Sequence, residues 1–424
     1  MGVNKASDIA KILIEMNRLS VYRDILKEEL VQKAFSFFES NIRNDKETEQ
    51  EKYLFDLLYY MIGSKKSFHE CDSFAKNIFD FILKNENTFS IRAGRDWDIS
   101  YSLKQVVKND IEILMNFATI NFKSFIVKNE DYVVIAGNGK KNYEGIYSLF
   151  NGTTDEIVEK LINYYNNFGT GEISSYVSLK WEGNFEISGT YEYNNDPIKF
   201  SNIVGLNYQK ELIYKNTESF VKGLPANNIL LVGAGGTGKS SLVKASANEF
   251  SNKGLKILEI DRKHISDIDK VFKWIRERAA KFIVFMDDLS FEEYETDYKY
   301  LKSMLEGGVQ RKPDNALVYV TSNRRHLIKE VWKDREENGK EVHETDSVNE
   351  KTSLSERFGI TLHFMSSNQE EYLEIVRGIA KQRGFAINDE VLRREALQWS
   401  MLKNSRNGRA AKQFIDYMQG VKKI

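Results

Sequence analysis

The stretch NNILLVGAGGTGKSSLVKA, from Asn227 to Ala245, decides how the second half of this chain folds. Gly233 and Gly238-Lys239-Ser240 match the pattern G-x-x-x-x-G-K-[ST] of a phosphate-binding loop. The apolar run Ile229–Val232 predicts a buried strand before the loop, and Ser241–Phe250 predicts a helix after it. This strand–loop–helix context favours a phosphate-binding loop over an ordinary glycine-rich turn, which is the alternative interpretation.

The residue types in this loop explain why it suits a phosphate chain. Glycines let backbone N–H groups turn inward around phosphate oxygens, and the start of the following helix adds positive partial charge. In this pattern Lys239 reaches the β- and γ-phosphates, and the Ser240 hydroxyl ligates Mg²⁺. The loop therefore predicts nucleotide binding.

Two acidic residues follow the next long apolar run, KFIVFMDDLSF, Lys281–Phe291. Such a run is typical of a strand buried on both faces of a parallel sheet, and ligands bind at the carboxyl ends of such strands. We expect Asp287 to organise the Mg²⁺ ligands and Asp288 to polarise the attacking water. The alternative is an aspartate pair that only faces solvent at a strand end.

A third apolar run, ALVYVTS, Ala316–Ser322, predicts another strand that ends at Asn323. An asparagine at that place is expected to orient water against the γ-phosphate.

Two arginines further along are candidates for binding the γ-phosphate. Arg357 precedes a short predicted strand, Ile360–Phe364, from which a guanidinium could reach the nucleotide of a neighbouring subunit. Arg409, or its neighbour Arg406, opens a helix near the C-terminus and is expected to close on the γ-phosphate. The alternatives are a surface salt bridge for Arg357 and a solvated helix position for Arg409.

Composition excludes several classes of protein. The 424 residues include 61 basic and 62 acidic side chains, so no global field attracts the chain to nucleic acid or to a membrane. One cysteine, Cys71, excludes an intramolecular disulfide framework and a multi-cysteine zinc module. The five histidines show no metal-ligand spacing, which disfavours a zinc enzyme. No apolar signal core or membrane-length run is present, so a cytoplasmic location is expected.

The part of the chain before the phosphate loop reads mostly as amphipathic helices. Its many Phe and Tyr residues are expected to form a core rather than a ligand cage. A short strand is predicted at Tyr132–Ala136 and a β-hairpin at 172–193. The predicted domains are a mostly helical N-terminal domain with that hairpin at 1–196, an α/β nucleotide-binding core at 197–367 and a helical lid at 368–424.

Taken in order, these motifs resemble those of AAA+ ATPases: Walker A, Walker B, sensor 1, an arginine finger and a helical lid with sensor 2. The match extends to the stretches NIVGLNYQK, FMDDLSFE, SLSERFG and GRAAKQF. Together they resemble the domain-of-unknown-function 815 family of predicted AAA+ ATPases, from Lys199 to the C-terminus.

The resemblance implies an α/β P-loop NTPase fold with a parallel sheet and a C-terminal helical lid, and it implies ATP and Mg²⁺ as ligands. Val204 and Gly205, next to Ile203, would lie against the adenine. The implied catalytic residues are Lys239, Asp287, Asp288, Asn323, Arg357 as the finger and Arg409 as sensor 2. The nucleotide would be held by Gly233, Ala234, Gly235, Gly236, Thr237, Gly238, Lys239, Ser240 and Ser241, and the metal by Ser240 and Asp287.

One departure from the family pattern concerns the catalytic base. Many AAA+ proteins carry Asp-Glu in Walker B, whereas this chain carries Asp287-Asp288. Glu292 and Glu293 lie close by in the sequence, so they stay alternatives to Asp288 for positioning the water.

Two functions from different classes fit these motifs. The leading hypothesis is an oligomeric Mg²⁺-dependent ATPase, with a ring suggested by the resemblance, that remodels or loads a macromolecular partner. The alternative is a nucleotide-dependent switch with slow turnover, and the absence of an aromatic–hydrophobic–Gly pore loop in Asp261–Asp267 disfavours a protein-threading motor. A GTPase or small-molecule kinase fits poorly, because the chain has no N-K-x-D motif. The N-terminal half is expected to select the partner, which the sequence does not identify.

Overall fold

The computed structural model describes residues 6–63, 74–122, 143–184, 186–191, 198–290, 300–302, 305, 312–323 and 357–422. The chain divides into two compact units, Met1–Ser175 and Tyr176–Ile424. Within the described ranges, we find no helix that combines the length and the apolar character needed to cross a bilayer. The predicted strand at 132–136 lies outside the described residues.

Helices make up most of the described part of the first unit. Its core contains a cluster of phenylalanine rings whose centroids lie 5.1–6.5 Å apart, and these rings are buried. The aromatic residues therefore form a packed core, as expected from the sequence. The cluster consists of Phe37, Phe38, Phe74, Phe117 and Phe122. The helices are α1 (Ala6–Met16), α2 (Glu29–Arg43), α3 (Glu47–Leu58), α4 (Phe74–Lys84), α5 (Thr88–Gly94), α6 (Tyr101–Ala118) and α7 (Thr154–Phe168).

A buried carboxylate fixes the turn that follows α1. Asp110 on α6 is fully buried, and it accepts hydrogen bonds from the backbone N–H groups of Ser20, Val21 and Tyr22 at 2.7–3.1 Å. A buried charge is tolerated only when such donors surround it. The contact ties two distant parts of this unit together, since 88–90 residues separate the partners.

The second unit is an α/β structure around a seven-stranded sheet with the order β2-β1-β4-β5-β6-β3-β7. All neighbouring strands are parallel except β1 and β2. The strands β3, β5 and β6 are buried apart from the end residue of β3, as their continuous apolar runs predict. The elements are β1 (Tyr176–Gly183), β2 (Glu186–Tyr191), α8 (Asn207–Val221), β3 (Ile229–Gly233), α9 (Lys239–Glu249), β4 (Lys256–Ile260), α10 (Ile268–Arg276), β5 (Phe282–Met286), β6 (Ala316–Ser322) and β7 (Ile360–Phe364).

Three further helices follow the sheet: α11 (Gln369–Gln382), α12 (Asp389–Leu402) and α13 (Gly408–Lys422). They share their own apolar core, in which Tyr372, Val376, Phe414 and Ile415 are buried. This three-helix group, called the lid below, is the helical C-terminal element that the sequence predicts.

The hairpin lies in a different unit from the one predicted. The sequence places it in the N-terminal domain at 1–196, whereas the structure places β1 and β2 in the second unit, which begins at Tyr176. The reason is a parallel pairing of β1 with β4, in which Ser178 lies opposite Ile257. The hairpin therefore extends the edge of the α/β sheet.

Candidate functional site

The loop between β3 and α9 has a backbone that favours glycine. Gly233, Gly236 and Gly238 have φ angles of 148°, 77° and 98°. A Cβ atom on Gly233 would lie 2.0 Å from the carbonyl oxygen of Phe364 on β7. The loop therefore turns tightly against the sheet and leads directly into the N-terminus of α9, which favours anions.

Lys239, the first residue of α9, is almost fully buried at the base of this loop. Its Nζ donates to the carbonyl oxygens of Gly233 and Ala234 at 2.7 and 2.8 Å, and to Asn323 Oδ1 at 3.0 Å. Burial lowers the pKa of the Lys239 ammonium, while the nearby charges of Asp288 and Asp287 oppose that shift. The structure thus places a fixed ammonium group beside the phosphate loop and two carboxylates.

The order of the strands brings the predicted polar residues together. β6 lies between β3 and β5, so Asn323 after β6 lies between the phosphate loop and the two aspartates after β5. Asn323 Nδ2 donates to Asp288 Oδ1 at 2.5 Å, while its Oδ1 accepts from Lys239. Asn323 therefore links the lysine of the loop to the second aspartate.

The hydroxyl of Ser240 donates to Asp287 Oδ1 at 2.6 Å. A hydroxyl and a carboxylate are oxygen ligands, which Mg²⁺ prefers in proteins, together with phosphate oxygens and water. The pair therefore fits the metal that the sequence predicts, and Ser240 and Asp287 are the residues that would hold it.

Thr321, the sixth residue of β6, belongs to this site although the sequence did not indicate it. Its hydroxyl donates to Asp287 Oδ1 at 2.5 Å and accepts from the backbone N–H of Asp288 at 2.8 Å. A threonine within an apolar strand reads as a core residue, so only its position two residues before Asn323 could have marked it.

The start of the lid helix α13 contacts the phosphate loop. Asn407 Nδ2 donates to the carbonyl oxygen of Gly235 at 2.9 Å, and the N–H of Arg409 donates to that of Gly236 at 3.3 Å. Asn407 Oδ1 also caps α13 by accepting from the N–H of Ala410 at 2.9 Å. Asn407 was not among the predicted site residues. It now ties the lid to the loop.

Arg409 has its backbone at the loop and an exposed side chain, and Arg406 is exposed as well. A Cβ atom on Gly236 would lie 3.0 Å from Arg409 Cβ, so the two residues are direct neighbours. The structure thus places Arg409 at the edge of the phosphate loop.

Val204 and Gly205, which are predicted to lie against the adenine, are found between the phosphate loop and the lid. A Cβ atom on Gly378 of α11 would fall 2.4 Å from Val204 Cγ2, and one on Gly238 would lie 3.3 Å from Leu206 Cδ1. Gly205 between them has a φ of 71°. Val204 and Gly205 therefore run past the base of the phosphate loop toward the lid.

Arg357 is not near the phosphate loop along the sheet. β7 runs parallel to β3, with Ile360 opposite Ile229 and Phe364 opposite Gly233. Arg357 precedes Ile360, so it lies at the opposite end of these strands, about 13 Å or more from the loop at roughly 3.3 Å per residue. Glu292 and Glu293, the alternatives for the water-positioning carboxylate, lie outside the described residues.

Comparison with known proteins identifies the family. The model of the family described as "Protein of unknown function (DUF815)" matches residues 174–422, which is more than half of the chain. The chain belongs to the DUF815 family. This confirms the resemblance seen in the sequence, and the matched region has an α/β fold with a mostly parallel sheet, a strand–loop–helix segment that matches the P-loop pattern, and a helical lid.

Other proteins are similar over a shorter part of the chain or at lower sequence identity. A Plasmodium falciparum (isolate 3D7) protein named "Putative cell division cycle ATPase" is 32% identical over 32% of this chain. The chain spans 13% of that relative's length. Thermotoga maritima RuvB, a Holliday junction branch migration motor, is 14% identical with a TM-score of 0.32. The T158V variant of the same protein is 14% identical to this chain with a TM-score of 0.34. Each of these two matches covers 52% of this chain and 72% of RuvB.

The two hydrogen bonds of Asn407 can be separated by substitution. We expect Asn407→Ser to keep the cap of α13, because serine caps helices about as well as asparagine, but to lose the bond to Gly235. Asn407→Ala should lose both and should lower the free energy of unfolding by about 1 kcal/mol more than Asn407→Ser. Titration with a fluorescent ATP analogue should show weaker binding by both variants to a similar degree. Wild-type affinity in Asn407→Ser would contradict a role of this bond in shaping the loop.

Proposed function

We propose that this DUF815 protein binds ATP with Mg²⁺, hydrolyses it, and uses the cycle to remodel or load a macromolecular partner as an oligomer. The observation that carries the proposal is a continuous series of hydrogen bonds that begins at Lys239 and ends at Ser240. It passes through Asn323, Asp288, Thr321 and Asp287. It supports a site in which phosphate-binding, metal-binding and water-positioning groups hold one another in place.

Binding of the triphosphate would rest on the loop and on Lys239. The N-terminus of α9 offers backbone N–H groups to phosphate oxygens, and the buried ammonium offers charge near the β- and γ-phosphates. Ser240 and Asp287 would hold Mg²⁺, which would neutralise part of the negative charge of the phosphates. Lys239 would keep the γ-phosphate in line with the attacking water as negative charge develops on it.

Hydrolysis would depend on Asp288. Its exposed carboxylate is held by Asn323 and is reachable by water. In our proposal Asp288 orients a water whose oxygen bonds to the γ-phosphorus, while the bond to the β–γ bridging oxygen breaks. The proton of that water passes to Asp288 and then to the released phosphate, so the base is regenerated.

Asp288→Asn tests this role because it keeps the size of the side chain and removes the base. We expect its kcat for ATP to fall about 100-fold or more, since a general base contributes that much, while ATP affinity stays close to wild type. Asp269→Asn, an exposed position on α10, is the matched control and should keep wild-type turnover. Steady-state phosphate release and ATP binding measure the two quantities. Undiminished hydrolysis in Asp288→Asn would reject Asp288 as the base.

The position of Arg357 supports a role in a neighbouring subunit. Within its own chain it lies at the end of the parallel strands opposite to the phosphate loop. We propose that it reaches the γ-phosphate bound by the next subunit, where a guanidinium stabilises the charge of the transition state. The site would then be complete only in an oligomer.

Mixing two inactive variants tests this arrangement. Arg357→Ala keeps its own phosphate loop, and Lys239→Ala keeps its own arginine, so each should be inactive alone. If subunits exchange on mixing, an equimolar mixture should recover a measurable fraction of wild-type hydrolysis, because some interfaces then join an intact loop to an intact arginine. Mass photometry of the mixture confirms that the variants assemble together. Mixed oligomers that stay inactive, or an active Arg357→Ala monomer, would contradict the proposal.

A nucleotide-dependent switch with slow turnover is the second candidate. It is favoured by Asp288, whose side chain is one methylene shorter than the glutamate of many AAA+ proteins and is already held by Asn323. Negligible hydrolysis by the wild type alone, with ATP bound tightly and released on addition of a partner, would support the switch over the motor.

A further inference from the structure

Thr321 differs from the two aspartates of the site in its burial. It is 1% exposed at the end of a strand that is buried throughout, whereas Asp287 and Asp288 are exposed. Packed strands hold their side chains in fixed positions, and exposed carboxylates do not have this restraint. Thr321 is therefore an anchored group whose hydroxyl extends to two groups that need anchoring.

The contacts of Thr321 are specific to a hydroxyl that both donates and accepts. Its Oγ1 donates to Asp287 Oδ1 and accepts from the N–H of Asp288. The carbonyl oxygen of Thr321 accepts from the N–H of Leu289 at 2.8 Å. One residue thus holds the side chain of Asp287 and the backbone of the two residues that follow.

The backbone of Asp288 needs such support. Its φ is 52°, in the left-handed region that residues other than glycine adopt less readily. Strained residues of this kind persist when their surroundings hold them, and they often occur at active sites. Thr321 Oγ1 supports this strained residue directly, because it accepts a hydrogen bond from the backbone N–H of Asp288.

We propose that Thr321 is a positioning residue that sets the distance and orientation between the metal-binding carboxylate, Asp287, and the water-orienting carboxylate, Asp288. This inference rests on the proposed function and extends it to a buried residue that acts through Asp287 and Asp288. Thr321 acts through its hydroxyl, so a side chain of the same shape without that hydroxyl loses the role.

Thr321→Val and Thr321→Ser test the role in the full-length protein. Removal of residues that orient metal ligands typically costs 10–100-fold in metal affinity or activity. We therefore expect Thr321→Val to lower kcat about tenfold or more and to raise the Mg²⁺ concentration for half-maximal ATP binding by about tenfold. Nucleotide binding without Mg²⁺ should stay at the wild-type level. Thr321→Ser keeps the hydroxyl and should restore kcat and Mg²⁺ dependence to within about threefold.

Thr217→Val is the matched control. Thr217 on α8 is as buried as Thr321. Its hydroxyl is hydrogen-bonded at 2.7 Å to the hydroxyl of Tyr319, which lies on β6 as Thr321 does, away from the two aspartates. Its substitution removes a comparable hydrogen bond and should leave kcat and Mg²⁺ dependence unchanged. Equal losses in Thr217→Val and Thr321→Val would show a general effect on the sheet and would overturn the proposal.

Hydrogen exchange gives a readout that does not depend on activity. In Thr321→Val the amide of Asp288 should lose protection, because its acceptor is the missing hydroxyl, while the amide of Leu289 should keep it, because its acceptor is a backbone carbonyl. If the wild type binds ATP, the role of Thr321 is rejected by either of two results for Thr321→Val: wild-type protection of the Asp288 amide, or wild-type Mg²⁺ dependence of ATP binding. A wild type that fails to bind ATP at all would instead reject the proposed function.

Discussion

The pairing of β6 with β3 on one side and with β5 on the other is the constraint on which the site depends. Val320 lies opposite Leu230 of β3 and Met286 of β5, so the three strands end at one edge of the sheet. Parallel strands deliver their following residues to the same side. The phosphate loop, the two aspartates and Asn323 therefore meet there although they are far apart in the sequence.

The polar contacts at this edge stabilise one another. Lys239 and Asp287 are each held by more than one partner, and the side-chain partners come from two separate segments: Thr321 and Asn323 from the end of β6, and Ser240 from the start of α9. Hydrogen bonds to charged groups contribute about 1.5–3 kcal/mol each, so the set can hold exposed carboxylates in defined places. Preorganised groups of this kind are what electrostatic catalysis of phosphoryl transfer requires.

The sequence predicted the parts of the site that follow from local patterns. The loop glycines and Lys239 have a fixed spacing, and the apolar runs placed Asp287 and Asn323 at strand ends. The hairpin was predicted at 172–193, but its place in the α/β sheet could not be, because the parallel partner of β1, β4, lies about 80 residues further along and no local pattern specifies that pairing. Thr321 was missed for a related reason, since a threonine in a buried strand gains its role only from the side chains that the neighbouring strand supplies.

The central claim is that the loop with Lys239 binds the phosphates of ATP. Isothermal titration of the full-length protein with ATP and Mg²⁺ tests it most directly, with Lys239→Ala and the exposed Lys215→Ala compared side by side. We expect one ATP per chain for the wild type and for Lys215→Ala, and at least about tenfold weaker binding for Lys239→Ala, a loss of about 1.4 kcal/mol or more. Equal affinity in all three proteins, or no binding by the wild type, would contradict it.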